Sequence, residues 1–374
     1  MKLKKAAATL ALAALGTAAA KKGKSFHDNQ FQAMKRVKRL DENIYMMDYT
    51  LDYGLDELLE KGVSNVGEML AFVSKKTMFG LNVFKAGEGG FACSTFDALT
   101  EAGEHIMGRN FDYKKAPCMV VWTHPENGYS SVGVADCNFM LYGSVNKPVK
   151  AFNRLQTLLA PYCCMDGLNE KGLAVSILEL KTGATNQSTG KKDISTTVAI
   201  RGLLDKCATV EEAVEFLRSY DMHDALFCCY HYQITDAFGK SVIIEYVNNE
   251  MRLFYPEKTG ENKHPFQHVE NFFLSEDGDN SKGFGYDRAE KIEKKLSETG
   301  GILSEGGAMQ LLSDVHLNYK HEKYPWTVIT LWSVVYNSNA LTATVAAGLN
   351  YERTYRFFVD RPLEAMHADS SVIG

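Results

Sequence analysis

Cys93 stands at the end of a glycine-rich run, Gly87-Glu88-Gly89-Gly90-Phe91-Ala92, and is followed by Ser94-Thr95-Phe96. Arg109 comes sixteen residues later and Asp112 nineteen later, inside Gly108-Arg109-Asn110-Phe111-Asp112-Tyr113. A thiol with a guanidinium and a carboxylate is the material of an activated nucleophile. The pattern predicts that the chain cuts itself between Ala92 and Cys93, making Cys93 a new N-terminus. A free α-amine, with a reference pKa of about 7.7–8.0, can take the proton of a thiol of about 8.5 and return it to a leaving amine. While the Ala92–Cys93 peptide bond is intact that base is absent, and the precursor is expected to be inactive. Arg109 would lower the thiol pKa, and Asp112 would hold the α-ammonium. Residues 109 and 112 have opposite parity on a strand, so a bulge or strand end near Asn110 is required to turn both toward Cys93. A surface salt bridge beside a buried structural cysteine is the alternative.

Elements on either side must position these groups. Residues 21–86 read as helical, with Leu55, Leu58 and Leu59 at helical spacing. Ser64 is placed to cap a helix whose Val66, Met69, Leu70 and Val73 share one face. The glycine run then breaks the pattern, and its backbone freedom suits the strained geometry of self-cleavage. Residues 21–92 are therefore read as a helical propeptide, or as a small subunit that stays docked after cleavage. From Cys93 strands dominate: a hairpin Cys93–Leu99/His105–Tyr113, a strand Gly172–Leu180, and a second hairpin Tyr230–Thr235/Ser241–Val247 followed by Met251–Tyr255. A meander Thr327–Tyr336, Leu341–Ala346, Arg353–Val359 ends the series. Helices separate these groups, around Ile200–Cys207, after the capping box Thr209-Val210-Glu211-Glu212, over Arg288–Leu296 and over Gly307–Val315. Runs of antiparallel strands alternating with runs of helices predict face-to-face sheets with helices outside, a layered α+β domain over 93–374.

The chain of 374 residues can bury a large core. Its net charge of −5 argues against nucleic acid as a partner. Met1-Lys2-Leu3-Lys4-Lys5, the apolar run Ala6–Leu15 and the small residues Gly16–Ala20 have the layout of a secretory signal over 1–20. Export makes the expected location secreted or extracytoplasmic. The eight cysteines include the vicinal pairs Cys163-Cys164 and Cys228-Cys229 in apolar runs, with no C-x-x-C, and read as buried small hydrophobes rather than disulfides. Neither a metal nor a cofactor is expected: the ten histidines are scattered, and Pro265 between His264 and His268 spoils a helical pair.

Cys93-Ser94-Thr95 followed by Gly108–Tyr113 resembles the N-terminal-nucleophile cysteine hydrolases of the choloylglycine hydrolase group. That group includes bile salt hydrolases, penicillin V acylases, acid ceramidase and N-acylethanolamine acid amidase. Asp166-Gly167-Leu168-Asn169-Glu170-Lys171-Gly172-Leu173-Ala174-Val175 is similar to its central strand signature, and Val269-Glu270-Asn271-Phe272-Phe273 to a further element. Tyr286-Asp287-Arg288 and Trp332–Asn337 resemble a helix start and the C-terminal strands. The resemblance covers roughly residues 90–360. It implies a four-layer αββα sandwich, with Cys93 as nucleophile, Arg109 and Asp112 as pocket partners, Asn271 as oxyanion donor and Arg288 as supporting cation. An arginine at a helix start opposes the dipole, so Arg288 needs a partner carboxylate or a role in the site.

Glu179 bears on the subfamily, because bile salt hydrolases carry asparagine and penicillin V acylases tyrosine at the matching place. Acid ceramidase and N-acylethanolamine acid amidase are similar to this chain in having glutamate there, and in a helical segment before the nucleophile. The resemblance implies a self-processing amidase acting on linear N-acyl amides, fatty acyl amides favoured, through a thioester on Cys93. A bile salt hydrolase, a penicillin V acylase, acyl transfer to another amine, and a secreted non-catalytic binding protein stay open beside it. The expected partner is a small N-acyl amide; a peripheral lipid surface contact and an oligomer also stay open.

Overall fold

The computed structural model describes residues 32–78, 91–140, 153–224, 228–257, 264–320 and 327–368. The signal-like residues 1–20 and the run Gly87–Gly90 lie outside the described residues.

In chain order the strands are β1 Val37–Arg39, β2 Ile44–Tyr49, β3 Ala92–Leu99, β4 His105–Lys114, β5 Cys118–Thr123, β6 Ser131–Asp136, β7 Cys164–Asn169, β8 Ala174–Leu180, β9 Lys192–Ser195 and β10 Tyr220–His223. They continue as β11 Cys229–Thr235, β12 Ser241–Val247, β13 Glu250–Phe254, β14 His268–Val269, β15 Asn318–Lys320, β16 Thr327–Asn337, β17 Thr342–Ala347, β18 Thr354–Phe358 and β19 Met366–Ala368. The longer helices are α1 Leu55–Lys61, α2 Val66–Met78, α3 Thr196–Lys206, α4 Val210–Arg218, α5 Tyr286–Thr299 and α6 Glu305–Asp314.

Two large sheets lie face to face. One has the order β1-β2-β5-β6-β7-β8-β11-β12-β13, and the other β14-β3-β4-β16-β17-β18-β19 with β15 on β16. Polar bonds cross between them: Arg109 of β4 pairs with Asp166 of β7, and Thr95 of β3 with Gln233 of β11. α3 packs on the outer side of the nine-stranded sheet, where Leu204 closes over Gly167. α5 and α6 cover the other sheet through Ile292, Leu296, Ala308 and Leu312 against Phe96, Ala98 and Ile106. This is the expected αββα layering.

The reading of residues 21–86 as helical is corrected over 37–49. Ile44-Tyr45-Met46-Met47-Asp48-Tyr49 forms β2, hydrogen-bonded between β1 and β5 and parallel to β5. Every residue of β2 is buried, and all but Asp48 are apolar or aromatic, so the strand lacks the alternation that marks a half-exposed strand. Asp41 closes the turn before it by accepting from the backbone N–H of Asn43 and of Ile44. The start of α2 is also corrected: Asn65 Oδ1, not Ser64, accepts the Glu68 N–H at 3.0 Å. Thr209 caps α4 as its spacing predicts, accepting from the Glu212 N–H at 3.2 Å.

Candidate active site

The β3–β4 hairpin is closed by residues 100–104, with Gly103 at φ +82°. Its register sets Cys93 opposite Phe111, Thr95 opposite Arg109 and Ala92 opposite Asp112. Gly108, just before Arg109, is required by packing: a Cβ there would lie 2.4 Å from the Phe96 ring. Alternation places Phe91, Cys93, Thr95, Arg109 and Phe111 on the face toward the nine-stranded sheet, and Ala92, Ser94, Asn110 and Asp112 on the face toward α5 and α6.

Cys93 is fully buried, and its thiol stands beside the Arg109 guanidinium. Burial pushes the thiol up to about 11; Arg109 opposes that rise and Asp112 adds to it. Cys93 is therefore held as a thiol. Arg109 is buried too, and its Nε donates to Asp166 Oδ2 at 2.6 Å while Nη1 donates to the Asn110 carbonyl at 3.1 Å. Asp166 also accepts from Trp332 Nε1 at 3.0 Å and from the Tyr336 hydroxyl. Burial works against the Arg109 cation, but Cys93 and Asp166 hold its pKa above the usual value. Arg109 Nη2 is buried without a hydrogen-bond partner among the described residues.

Asp112 lies on the opposite face from the thiol. Its Oδ2 accepts from Arg288 Nη1 at 2.8 Å and its Oδ1 accepts from the Thr330 hydroxyl. Arg288 also reaches the Cys93 carbonyl from Nη1 at 3.3 Å and the Ser94 hydroxyl from Nη2 at 2.7 Å. Asp112 is thus the carboxylate that the arginine in the first turn of α5 needs, and the pair braces Cys93 from behind. The expected bulge near Asn110 is corrected: β4 is regular, and the register shift lies in β16 between Thr330 and Trp332. Thr330 thereby meets Asp112 while Trp332 stacks on Phe111 at 4.2 Å.

Asn271 is placed at Cys93 by a single bridge to Phe284 ahead of α5. Its Oδ1 accepts the Cys93 N–H at 2.9 Å, and its Nδ2 donates to the Glu179 carbonyl at 2.7 Å. The amide therefore grips the Cys93 nitrogen, with its donor side engaged by β8. Glu179 is buried; its Oε2 accepts the Phe91 N–H at 2.9 Å, and it pairs with Lys181. Lys181 Nζ in turn donates to the Phe91 carbonyl at 2.9 Å.

Sequence reasoning assigned no role to Lys181, Thr330 or Phe91, and quoted Asp166 only within a longer run. Much of that run is structural: Asn169 Oδ1 accepts the N–H of Lys171 and of Leu173, and its Nδ2 donates to the Leu204 and Cys207 carbonyls. Gly172, at φ +84°, completes the turn into β8. Seven of the eight cysteines are buried, and Cys228 is partly exposed. Among the described residues no cluster of three or more His, Cys, Asp or Glu side chains could hold a metal ion.

Residues 99–351 match the family model of acyl-coenzyme A:6-aminopenicillanic acid acyl-transferase. The match includes Arg109, Asp112, Asp166, Glu179, Asn271 and Arg288 and begins at Leu99, the last residue of β3, so it leaves out Cys93. Among solved structures, a variant of conjugated bile acid hydrolase from Clostridium perfringens shares the fold, with a TM-score of 0.51, 14% identity, and coverage of 74% of this chain and 97% of that one. Penicillin V acylase from Agrobacterium tumefaciens aligns with a TM-score of 0.44, 17% identity, and coverage of 68% and 83%. The chain therefore belongs to the acyl-coenzyme A:6-aminopenicillanic acid acyl-transferase family, within the choloylglycine hydrolase group of N-terminal-nucleophile proteins.

Proposed function

We propose that the protein is a self-processing cysteine amidase that hydrolyses the C–N bond of linear N-acyl amides. The observation that carries this reading is the setting of Cys93: a buried thiol beside Arg109, with its backbone nitrogen held by Asn271 Oδ1 at 2.9 Å. Cutting the Ala92–Cys93 bond would turn that nitrogen into an α-amine next to the thiol it must deprotonate. The thiolate then attacks the amide carbonyl, a thioester forms, and the proton taken by the amine leaves with the departing amine. Water attacks the thioester, the acid is released, and the thiol is restored. Arg109 would stabilise the thiolate, with its free Nη2 available to the developing oxyanion.

The strands and helices of residues 37–78 would remain with the catalytic domain as a small subunit. Supporting this, Tyr53 donates to the buried Asp205 of α3, Tyr162 donates to the Tyr53 carbonyl, and Lys206 pairs with Asp56. The glutamate at position 179 favours a lipid acyl group on a small polar amine over conjugated bile acids. The family's name also favours acyl transfer as a second outcome, because a thioester can be intercepted by an amine other than water.

The test is intact mass and N-terminal sequencing of the purified protein. A fragment beginning at Cys93 is expected, and Cys93→Ala should leave one uncut chain. Hydrolysis of an N-acylethanolamine, glycocholate and penicillin V, with and without added amine, then separates the substrate readings. Full activity in a chain whose residues 92 and 93 are still joined would refute the mechanism.

A further inference from the structure

The residue two places before Cys93 is held more closely than a discarded leader needs. Phe91 is buried, and its ring sits 5.0 Å from Phe111, 5.8 Å from Tyr230 in a stacked arrangement, and 6.4 Å from Tyr113 edge-on. Both of its backbone polar groups are read by charged side chains. Its N–H donates to Glu179 Oε2 at 2.9 Å, and its carbonyl accepts from Lys181 Nζ at 2.9 Å. Phe91 and Cys93 are two apart on a strand, so the ring and the thiol face the same way.

Self-cleavage and turnover use the same attack. In the first, Cys93 Sγ adds to the Ala92 carbonyl carbon, the bond to the Cys93 nitrogen breaks as the thiol proton passes to that nitrogen, and water then releases Ala92 as a carboxylic acid and restores the thiol; in the second, Sγ adds to the carbonyl carbon of the bound amide. The chain on the acyl side of the cut, Ala92 and then Phe91, therefore traces where the acyl half of a substrate must run. We propose that the aromatic cage, with Glu179 and Lys181, is the acyl pocket, and that it selects peptide-like acyl groups: a bulky aromatic residue joined through a peptide bond to a small residue whose carbonyl is the scissile one. This rests on the amidase reading but departs from the lipid acyl group that the resemblance at Glu179 favours, because the Glu179 side chain itself holds a peptide N–H. Each half of the argument supplies part of the specificity. The cage of Phe111, Tyr113 and Tyr230 rewards a large flat apolar group, and the ion pair rewards an N–H and a C=O at fixed positions along the chain. The place of Ala92 calls for a small side chain, since Ala92 is itself buried on the face toward α5 and α6. A plain hydrocarbon chain would fill the cage but present neither an N–H to the buried Glu179 carboxylate nor a C=O to the partly exposed Lys181 ammonium, forfeiting the two hydrogen bonds that Phe91 makes in the chain.

The experiment uses the full chain, allowed to process and checked by mass, with 7-amino-4-methylcoumarin amides of N-acetyl-phenylalanyl-alanine and of decanoic acid. The two share a leaving group and differ only in the acyl half. The expected kcat/KM is higher for the peptide amide by about tenfold or more, as one charged hydrogen bond allows. Lys181→Met should collapse that ratio toward one; an unchanged ratio overturns the assignment. Faster cleavage of the decanoyl amide by the unmodified enzyme overturns the inference and leaves the amidase reading standing.

Because Lys181→Met could also impair folding or processing, a second measurement uses the unmodified enzyme. N-acetyl-phenylalanyl-alanine, the free acid, should protect Cys93 from iodoacetamide at concentrations where decanoate does not. If the processed enzyme cleaves neither amide but the peptide acid still protects, the pocket stands and the amidase reading falls. If neither amide is cleaved and the acid gives no protection, both fall.

Discussion

Arg109→Met tests whether the cation beside Cys93 serves chemistry, stability or both. The variant removes one member of an ion pair whose two side chains have no solvent exposure. Asp166 would be left as a buried carboxylate with only the Trp332 N–H and the Tyr336 hydroxyl as donors. Stranding one partner of such a pair costs about 3–5 kcal/mol. Spread over the unfolding entropy of a chain this size, that loss lowers Tm by about 5 °C. A second substitution separates the two roles. In Arg109→Met/Asp166→Asn the amide oxygen can still accept from Trp332, and the amide nitrogen can donate to the Tyr336 oxygen, so no buried charge is left over. The double variant should regain most of the lost Tm, measured by calorimetry in a Cys93→Ala background so that no cleavage intervenes. In the Cys93 background it should still process and turn over at least about a hundredfold more slowly, as expected when a donor to a developing anion is removed. Wild-type turnover in the double variant would refute the role given to Arg109. A double variant no more stable than the single one would refute the accounting of Asp166.

Three further outcomes follow from contacts described above. Asn271→Leu removes the acceptor on the Cys93 nitrogen and the donor to β8, and should slow the appearance of a Cys93 N-terminus by about a hundredfold, read by intact mass over time. Asp97, buried between Gln233, Ser241 and the Gln267 N–H, has its carboxyl pushed up to about 7 by burial. Its folded pKa lies above the unfolded value of about 3.9, so between those limits the folded chain binds the extra proton and this group favours folding less as pH rises; relative to Asp97→Asn, the unmodified chain should therefore lose Tm between pH 5 and pH 8. Asn65→Ala removes the cap of α2 and should cost about 1 kcal/mol by denaturant unfolding, whereas Ser64→Ala should cost less.

How much of this was legible in the sequence depended on whether the signal was local. The β3–β4 and β11–β12 hairpins and the Thr209 cap rest on residues a few places apart, and they stand where pattern put them. Strand β2 was not legible, because burial on both faces erases alternation and leaves a mostly apolar run, broken only by Asp48, that fits a helix equally well. The partner of Arg109 lies 57 residues away on the other sheet, and that of Asp112 lies 176 residues away on α5. Nothing in the spacing of a single chain encodes such pairs. The opposite parity of residues 109 and 112 was visible and was a true constraint. The structure meets it by giving each face of β4 its own arginine–carboxylate pair, rather than by bending the strand. Phe91 carried a signal that could have been used: an aromatic residue closing a glycine run two places before Cys93 has no role in a flexible linker.

Strand β2 also turns a cut in the chain into a change of reaction order. Before cleavage, residues 37–49 are tethered to the sheet they complete, at an effective concentration on the order of millimolar. If the chain is cut before Cys93 as proposed, that strand and its partner β5 would belong to different polypeptides, and re-forming the sheet would be bimolecular. At about micromolar protein the thousandfold fall in effective concentration withdraws about 4 kcal/mol from reassembly. The processed protein, once unfolded and diluted, should therefore fail to regain its sheet under conditions where the uncut chain refolds. Self-cleavage would then act as a ratchet: the site can be assembled by one folding event, and after that event its architecture persists by the slowness of its unfolding rather than by its ability to fold again.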